Sequence, residues 1–154
     1  MQYFTISYGI GGHDNKLLCF DRALMNARFS NYNIVKVSSI LPPGCKETHK
    51  LEMAAGSVLY MAYASLTSEK NECFASAVAV GIPDNNLNIG VIMEYSAFVD
   101  ASLAKNTVIG MVEDAMQVRS ISIKNIVSTS VDSFSYKLQK TQYVTTFAGV
   151  ALWG

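Results

Sequence analysis

The sequence predicts an α+β fold in which sheets are covered by two helices. Apolar residues recur at helical spacing in only two stretches, while seven others read as strands. Their order is strand, helix, strand, then three strands, a helix and two strands, which lacks the regular alternation of a doubly wound parallel sheet. Composition agrees. Of 154 residues, 50% are hydrophobic and 16% charged, with 10 Gly and 3 Pro. That suffices for a core in a chain the length of one ordinary domain, and it excludes a disordered tail or low-complexity linker.

Tyr3 to Tyr8 reads as a short strand, closed by a tight turn at Gly9, Gly11 and Gly12. From about Asn15 the period changes: Leu17, Phe20, Leu24 and Ala27 form a helix face, with Asp14 or Asn15 available as N-cap. Asn33 to Ser39 is a β-branched strand that must stop at Pro42-Pro43, and the polar stretch Gly44 to Gly56 is a long loop. Ser57 to Ser65, Cys73 to Gly81 and Asn88 to Ala97 follow as strands, joined by turns at Ser68–Asn71 and Pro83–Asn86. Asp100 caps a second helix whose apolar face is Ala104, Val108, Met111, Val112 and Ala115. Ser120 to Ser130 and Thr141 to Trp153 complete the chain as strands. There is no internal repeat and no linker.

Several functions are excluded or weakened. Twelve Lys+Arg balance twelve Asp+Glu, and the basic residues are scattered, so nucleic acid is not an expected partner. Uncharged stretches such as Phe74 to Pro83 are too short to span a bilayer, and no signal-like segment opens the chain, so a soluble cytoplasmic protein with no membrane partner is expected. Cys19, Cys45 and Cys73 are too far apart for a zinc or disulfide pattern and read as small buried hydrophobes, and His13 and His49 cannot make a metal triad. No metal site is expected. The glycines after the first strand lack the third glycine of a dinucleotide fingerprint, where Asp14 stands instead. Neither a Gly-x-Ser-x-Gly elbow nor a defined pair of carboxylates is present.

Two segments stand out. One runs Phe20-Asp21-Arg22-Ala23-Leu24, then Asn33-Ile34-Val35-Lys36-Val37-Ser38-Ser39-Ile40-Leu41-Pro42-Pro43; the other is Ile92-Met93-Glu94-Tyr95. Together they resemble the pyruvoyl-dependent arginine decarboxylases, whose members carry a Phe-Asp-x-Ala-Leu helix, an Asn-x-x-x-x-Ser/Thr-Ser-Ile-x-Pro-Pro run and a later Ile-Met-Glu-Tyr. Leu51 to Tyr63, the Ala75 to Pro83 strand and the closing Ala151-Leu152-Trp153 extend the resemblance over nearly the whole chain.

The resemblance implies a layered α/β/β/α sandwich of mainly antiparallel sheets. It also implies self-cleavage of this single domain between Ser38 and Ser39, giving a short β chain (1–38) and a longer α chain (39–154). The Ser39 hydroxyl would attack the Ser38 carbonyl, and elimination and hydrolysis would leave a covalent pyruvoyl group at residue 39, doing without pyridoxal phosphate or metal. The Asn33 amide would stabilise the oxyanion, reaching it from a neighbouring strand or subunit. The pyruvoyl carbonyl would take the substrate amine as a Schiff base, converting L-arginine to agmatine and carbon dioxide. Glu94 would return a proton to the α-carbon, its apolar strand favouring the protonated acid. Asp21 would bind the guanidinium, and Leu17, Leu24, Ser38 and Ile40 would line the pocket. The pocket would lie between subunits of a trimer or dimer of trimers.

Departures from the family bear on substrate: Gly11-Gly12-His13-Asp14 replaces a Ser/Thr-bearing glycine loop, and Leu18, Arg22 and Ser30 replace Asn, a small residue and Gly. Arg22 could neutralise Asp21, although neighbours on a helix point apart. A pyruvoyl decarboxylase of another amino acid, or an uncleaved structural subunit, are the alternatives.

Overall fold

The computed structural model describes residues 1–69, 72–136 and 141–154. Strands β1 (Tyr3–His13), β2 (Asn33–Lys36), β4 (Lys46–Glu47), β5 (Val58–Ser68) and β9 (Tyr143–Trp153) form one sheet, ordered β2-β5-β9-β1-β4. Strands β3 (Ile40–Leu41), β6 (Ala75–Pro83), β7 (Gly90–Ala97) and β8 (Ile123–Asp132) form a second, ordered β3-β7-β6-β8. The second sheet is antiparallel throughout. In the first, only the short edge strands β2 and β4 run parallel to their neighbours. Among the described residues, helices α1 (Lys16–Asn26) and α2 (Ala101–Val118) complete the α+β architecture, with one 3-10 turn at Ser133–Ser135.

Strand alternation sorts the apolar residues into layers. On β9, Ala148, Val150 and Leu152 meet Val78, Val80 and Ile92 of the second sheet, while Phe147, Ala151 and Trp153 meet Ala23, Leu24 and Ala27 at α1. On β6, Ala75, Ala77 and Ala79 turn the other way, onto Ala104, Val108, Val112 and Met116 of α2. Two sheets therefore share one core, and each carries a helix on its outer face. Ser76 and Thr146 join them through a buried hydroxyl pair 2.9 Å apart.

Helix boundaries follow local chemistry. Asn15 accepts from the amides of Leu17 and Leu18, and Asp100 from that of Leu103, as N-caps do. Both helices close through a left-handed residue, Arg28 (φ 66°) and Ser120 (φ 54°). The buried face of α2 includes Met116, while Met111 and Ala115 are only half-buried.

Three expectations change. The glycines at 9, 11 and 12 do not close the first strand but continue it to His13. Side chains at 9 and 11 would collide with the backbone of α1 at Ala23, so glycine lets helix and strand touch. The strand expected from Asn33 to Ser39 ends at Lys36; residues 37–39 cross between the sheets, and the second sheet's strand starts only at Ile40, while the expected long loop after Gly44 contains β4, paired with β1. Part of the expected Ser68–Asn71 turn lies outside the described residues. The three cysteines are free; Cys19 is buried and the other two half-buried, and burial pushes the Cys45 thiol up, holding it neutral.

Candidate active site

The chain changes sheets between Val37 and Ile40. The Val37 amide still donates to Met61 O of β5 (3.1 Å), the last tie to the first sheet. Ser39 O already accepts from the Ile92 amide of β7 (2.8 Å), the first tie to the second. Between these anchors lies the Ser38–Ser39 peptide, outside either ladder, with Ser38 exposed and Ser39 half-buried. Pro42 and Pro43 cannot donate to a ladder, which helps keep the strand beyond the crossing at two residues.

Glu94 stands two residues beyond Ile92 on the same face of β7 and points toward the first sheet. Its Oε1 lies 2.9 Å from Lys36 Nζ, and Lys36 also donates to Tyr63 O (3.0 Å) and sits 4.8 Å over the Tyr63 ring. The other oxygen, Oε2, is buried with no hydrogen-bond partner. The setting is thus an ion pair rather than the apolar surroundings expected for a neutral acid. Lys36 carries no sequence signal: its partner is far along the chain, and only the crossing brings the two together.

The other expected residues lie apart from this group. Asp21 is exposed on α1 with no ion-pair partner among the described residues, and Leu17, one helical turn away, is 75% exposed. Leu24 turns inward, 8% exposed in the core beneath α1. The helix packs on β1 and β9, whereas Ser39 and Glu94 belong to the β5–β7 side. Asn33 donates its side-chain amide to Gly56 O (2.7 Å). Arg22 reaches Gly12 O (2.7 Å), so it is engaged away from Asp21. Tyr95 is half-buried against α2, and Trp153 joins the α1 core, its indole donating to Thr5.

Chemically, one chain offers a serine hydroxyl next to a peptide outside any ladder, a carboxylate held by a lysine, and a second carboxylate on a separate, apolar-flanked face. The family model described as pyruvoyl-dependent arginine decarboxylase matches residues 3–153. A relative of that name from Methanococcus aeolicus is 34% identical over 94% of this chain and 86% of its own length. One from Methanocaldococcus jannaschii is 30% identical over 97% of this chain and 89% of its own. The chain belongs to the pyruvoyl-dependent arginine decarboxylase family.

The family implies a covalent pyruvoyl group, and the residues fit one. Ser39 can supply its carbon atoms, and the orphaned Glu94 Oε2 leaves a polar atom for a ligand placed beside β7. Among the described residues, no cluster of His, Cys, Asp and Glu could hold a metal, and no helix is long and apolar enough to cross a membrane.

Proposed function

We propose that the protein decarboxylates L-arginine to agmatine in the cytoplasm, with a pyruvoyl group made from Ser39 by cutting its own backbone. The observation that carries this reading is the Ser38–Ser39 peptide drawn between two sheets, its Ser39 carbonyl tied to the strand that bears Glu94. In the cleavage, Ser39 Oγ bonds to the Ser38 carbonyl carbon, the peptide C–N bond breaks, and the hydroxyl proton ends on the freed nitrogen. Loss of the Ser39 α-proton then breaks the Cβ–O bond, and the Ser38 carboxylate leaves. Hydrolysis of the remaining dehydroalanine releases ammonia and leaves the pyruvoyl cap. One domain, 1–154, becomes two tightly packed pieces, 1–38 and 39–154.

The pyruvoyl group supplies an electron sink for the pair released with carbon dioxide. Glu94 relays to the substrate α-carbon a proton drawn from the Lys36 ammonium 2.9 Å away. Asp21 receives the guanidinium, whose planar fork matches a carboxylate, and Leu17 and Ile40 flank the aliphatic chain. Asp21 and Ser39 come from adjacent subunits of a trimer or dimer of trimers. Two apolar faces support this: Leu17, Leu18 and Met25 on α1, and Val35, Val58 and Tyr60 at the β2–β5 edge with Ile40 on β3, are all exposed in the single chain. A head-to-tail contact between them closes into a ring and repeats the same site at each interface.

Release of labelled carbon dioxide from arginine, lysine, ornithine and histidine tests the substrate. Arginine should react fastest, and Asp21→Asn should raise KM for arginine at least tenfold. An enzyme inert to arginine but active on another amino acid removes the role assigned to Asp21.

A further inference from the structure

Resting on the self-cleavage reading above, we infer that the main-chain amide of Ile40 is an oxyanion donor for that reaction. Its N–H donates to Ser38 O at 2.9 Å, closing a three-residue turn with Ser39 at its centre. The acceptor is the carbonyl under attack, and the central residue is the attacking one. The donor therefore sits next to the carbon where the new bond forms.

Strand pairing explains why this N–H is available. Ile40 faces Val91 across β3 and β7, and the bond from the Ile92 amide to Ser39 O marks Ile40–Val91 as a non-hydrogen-bonded pair. The Ile40 N–H consequently points away from the ladder, and turns back to Ser38. The same ladder bond pins the Ser39 carbonyl, so the turn is fixed from β7 rather than free to rotate. Asn33, the donor implied by the family, gives its amide to Gly56 O in this chain. Ile40 is thus the donor already aimed at the Ser38 oxygen before any other group arrives.

In the first step the Ser39 Oγ–C bond forms, and the carbonyl π pair moves onto the Ser38 oxygen. That oxygen, now an anion, accepts the Ile40 N–H more strongly than the ground-state carbonyl did. When the pair returns, the C–N bond breaks and the Ser39 nitrogen leaves as an amine, taking the proton from the hydroxyl. A preorganised donor of this kind accelerates such a step by about a hundredfold or more.

The test replaces the Ile40 amide with an ester, installing the α-hydroxy acid analogue of isoleucine at that position and following cleavage by intact mass. The ester keeps the side chain and removes only the N–H. Cleavage of the folded precursor should slow about a hundredfold. The same replacement at Leu41 keeps the Ile40 donor and should retain rapid cleavage. Ile40→Pro, with its fold checked by circular dichroism, removes the donor in an encodable form and should slow cleavage similarly. An Ile40 ester that cleaves at the wild-type rate overturns the inference, as does an equal slowing by both esters, which would make the effect one of strand pairing. A wild-type chain that never cleaves fails before any substitution, and overturns the underlying reading together with this one.

Discussion

At the scale of single residues, the chemistry depends on which neighbour each charged group finds. Glu94 meets Lys36 at 2.9 Å, so Glu94→Gln should leave self-cleavage intact while lowering kcat by about a hundredfold or more, measured on the fully cleaved enzyme. A variant that neither cleaves nor folds would show a structural role instead. On the proposed role of Glu94, Lys36→Met should lower kcat more than it raises KM, with Lys36→Arg restoring part of the loss. Arg22 should matter less than its position suggests. Because its guanidinium is tied to Gly12 O, Arg22→Ala should keep the preference for arginine, measured by comparing kcat/KM for arginine and lysine. The Ser-Ser-Ile-x-Pro-Pro run and the Met-Glu-Tyr segment were legible in the sequence because they resemble the family's pattern, and the family model does match residues 3–153. The Lys36–Glu94 pair was not legible, since it exists only where a chain crosses between sheets.

At the scale of elements, periodicity was a good guide to where helices and most strands form, and a poor guide to where they end. Asp100 was readable as an N-cap because an acidic residue immediately precedes an apolar helical period. Its side chain does accept from the Leu103 amide at 2.7 Å, and Asp100→Ala should cost about 1 kcal/mol, read from urea unfolding. The glycine run misled for a physical reason. Glycines commonly mark turns, but here Gly9 and Gly11 let a strand pass against a helix backbone, which only the three-dimensional packing reveals. Gly11→Ala should therefore be far more disruptive than an exposed turn substitution, since the nearest atoms are backbone atoms of α1 that cannot step aside. The early end of the strand at Lys36 was equally hidden: the β-branched run continues to Val37, and nothing local says where the chain leaves one sheet for the other.

At the scale of the whole molecule, sheets covered by two helices followed from element order and the layered sandwich from the family resemblance, whereas the pairing of strands needed the structure. The single chain keeps Asp21 on one face and Ser39 with Glu94 on another, each bordered by exposed apolar residues. For the proposed trimer, Leu17→Glu should sediment as smaller species than the wild type and lower turnover in parallel, without preventing the chain from folding. The central claim is that the chain cuts itself at the point where it changes sheets. The most direct measurement is the intact mass of the purified protein beside its Ser39→Ala variant. The account predicts two species for the wild type, residues 1–38 and a 39–154 fragment whose first residue is a keto group without an amine, and one uncut chain for the variant. A wild-type protein that remains a single chain on prolonged incubation, or a variant that still cleaves at the same bond, would contradict it.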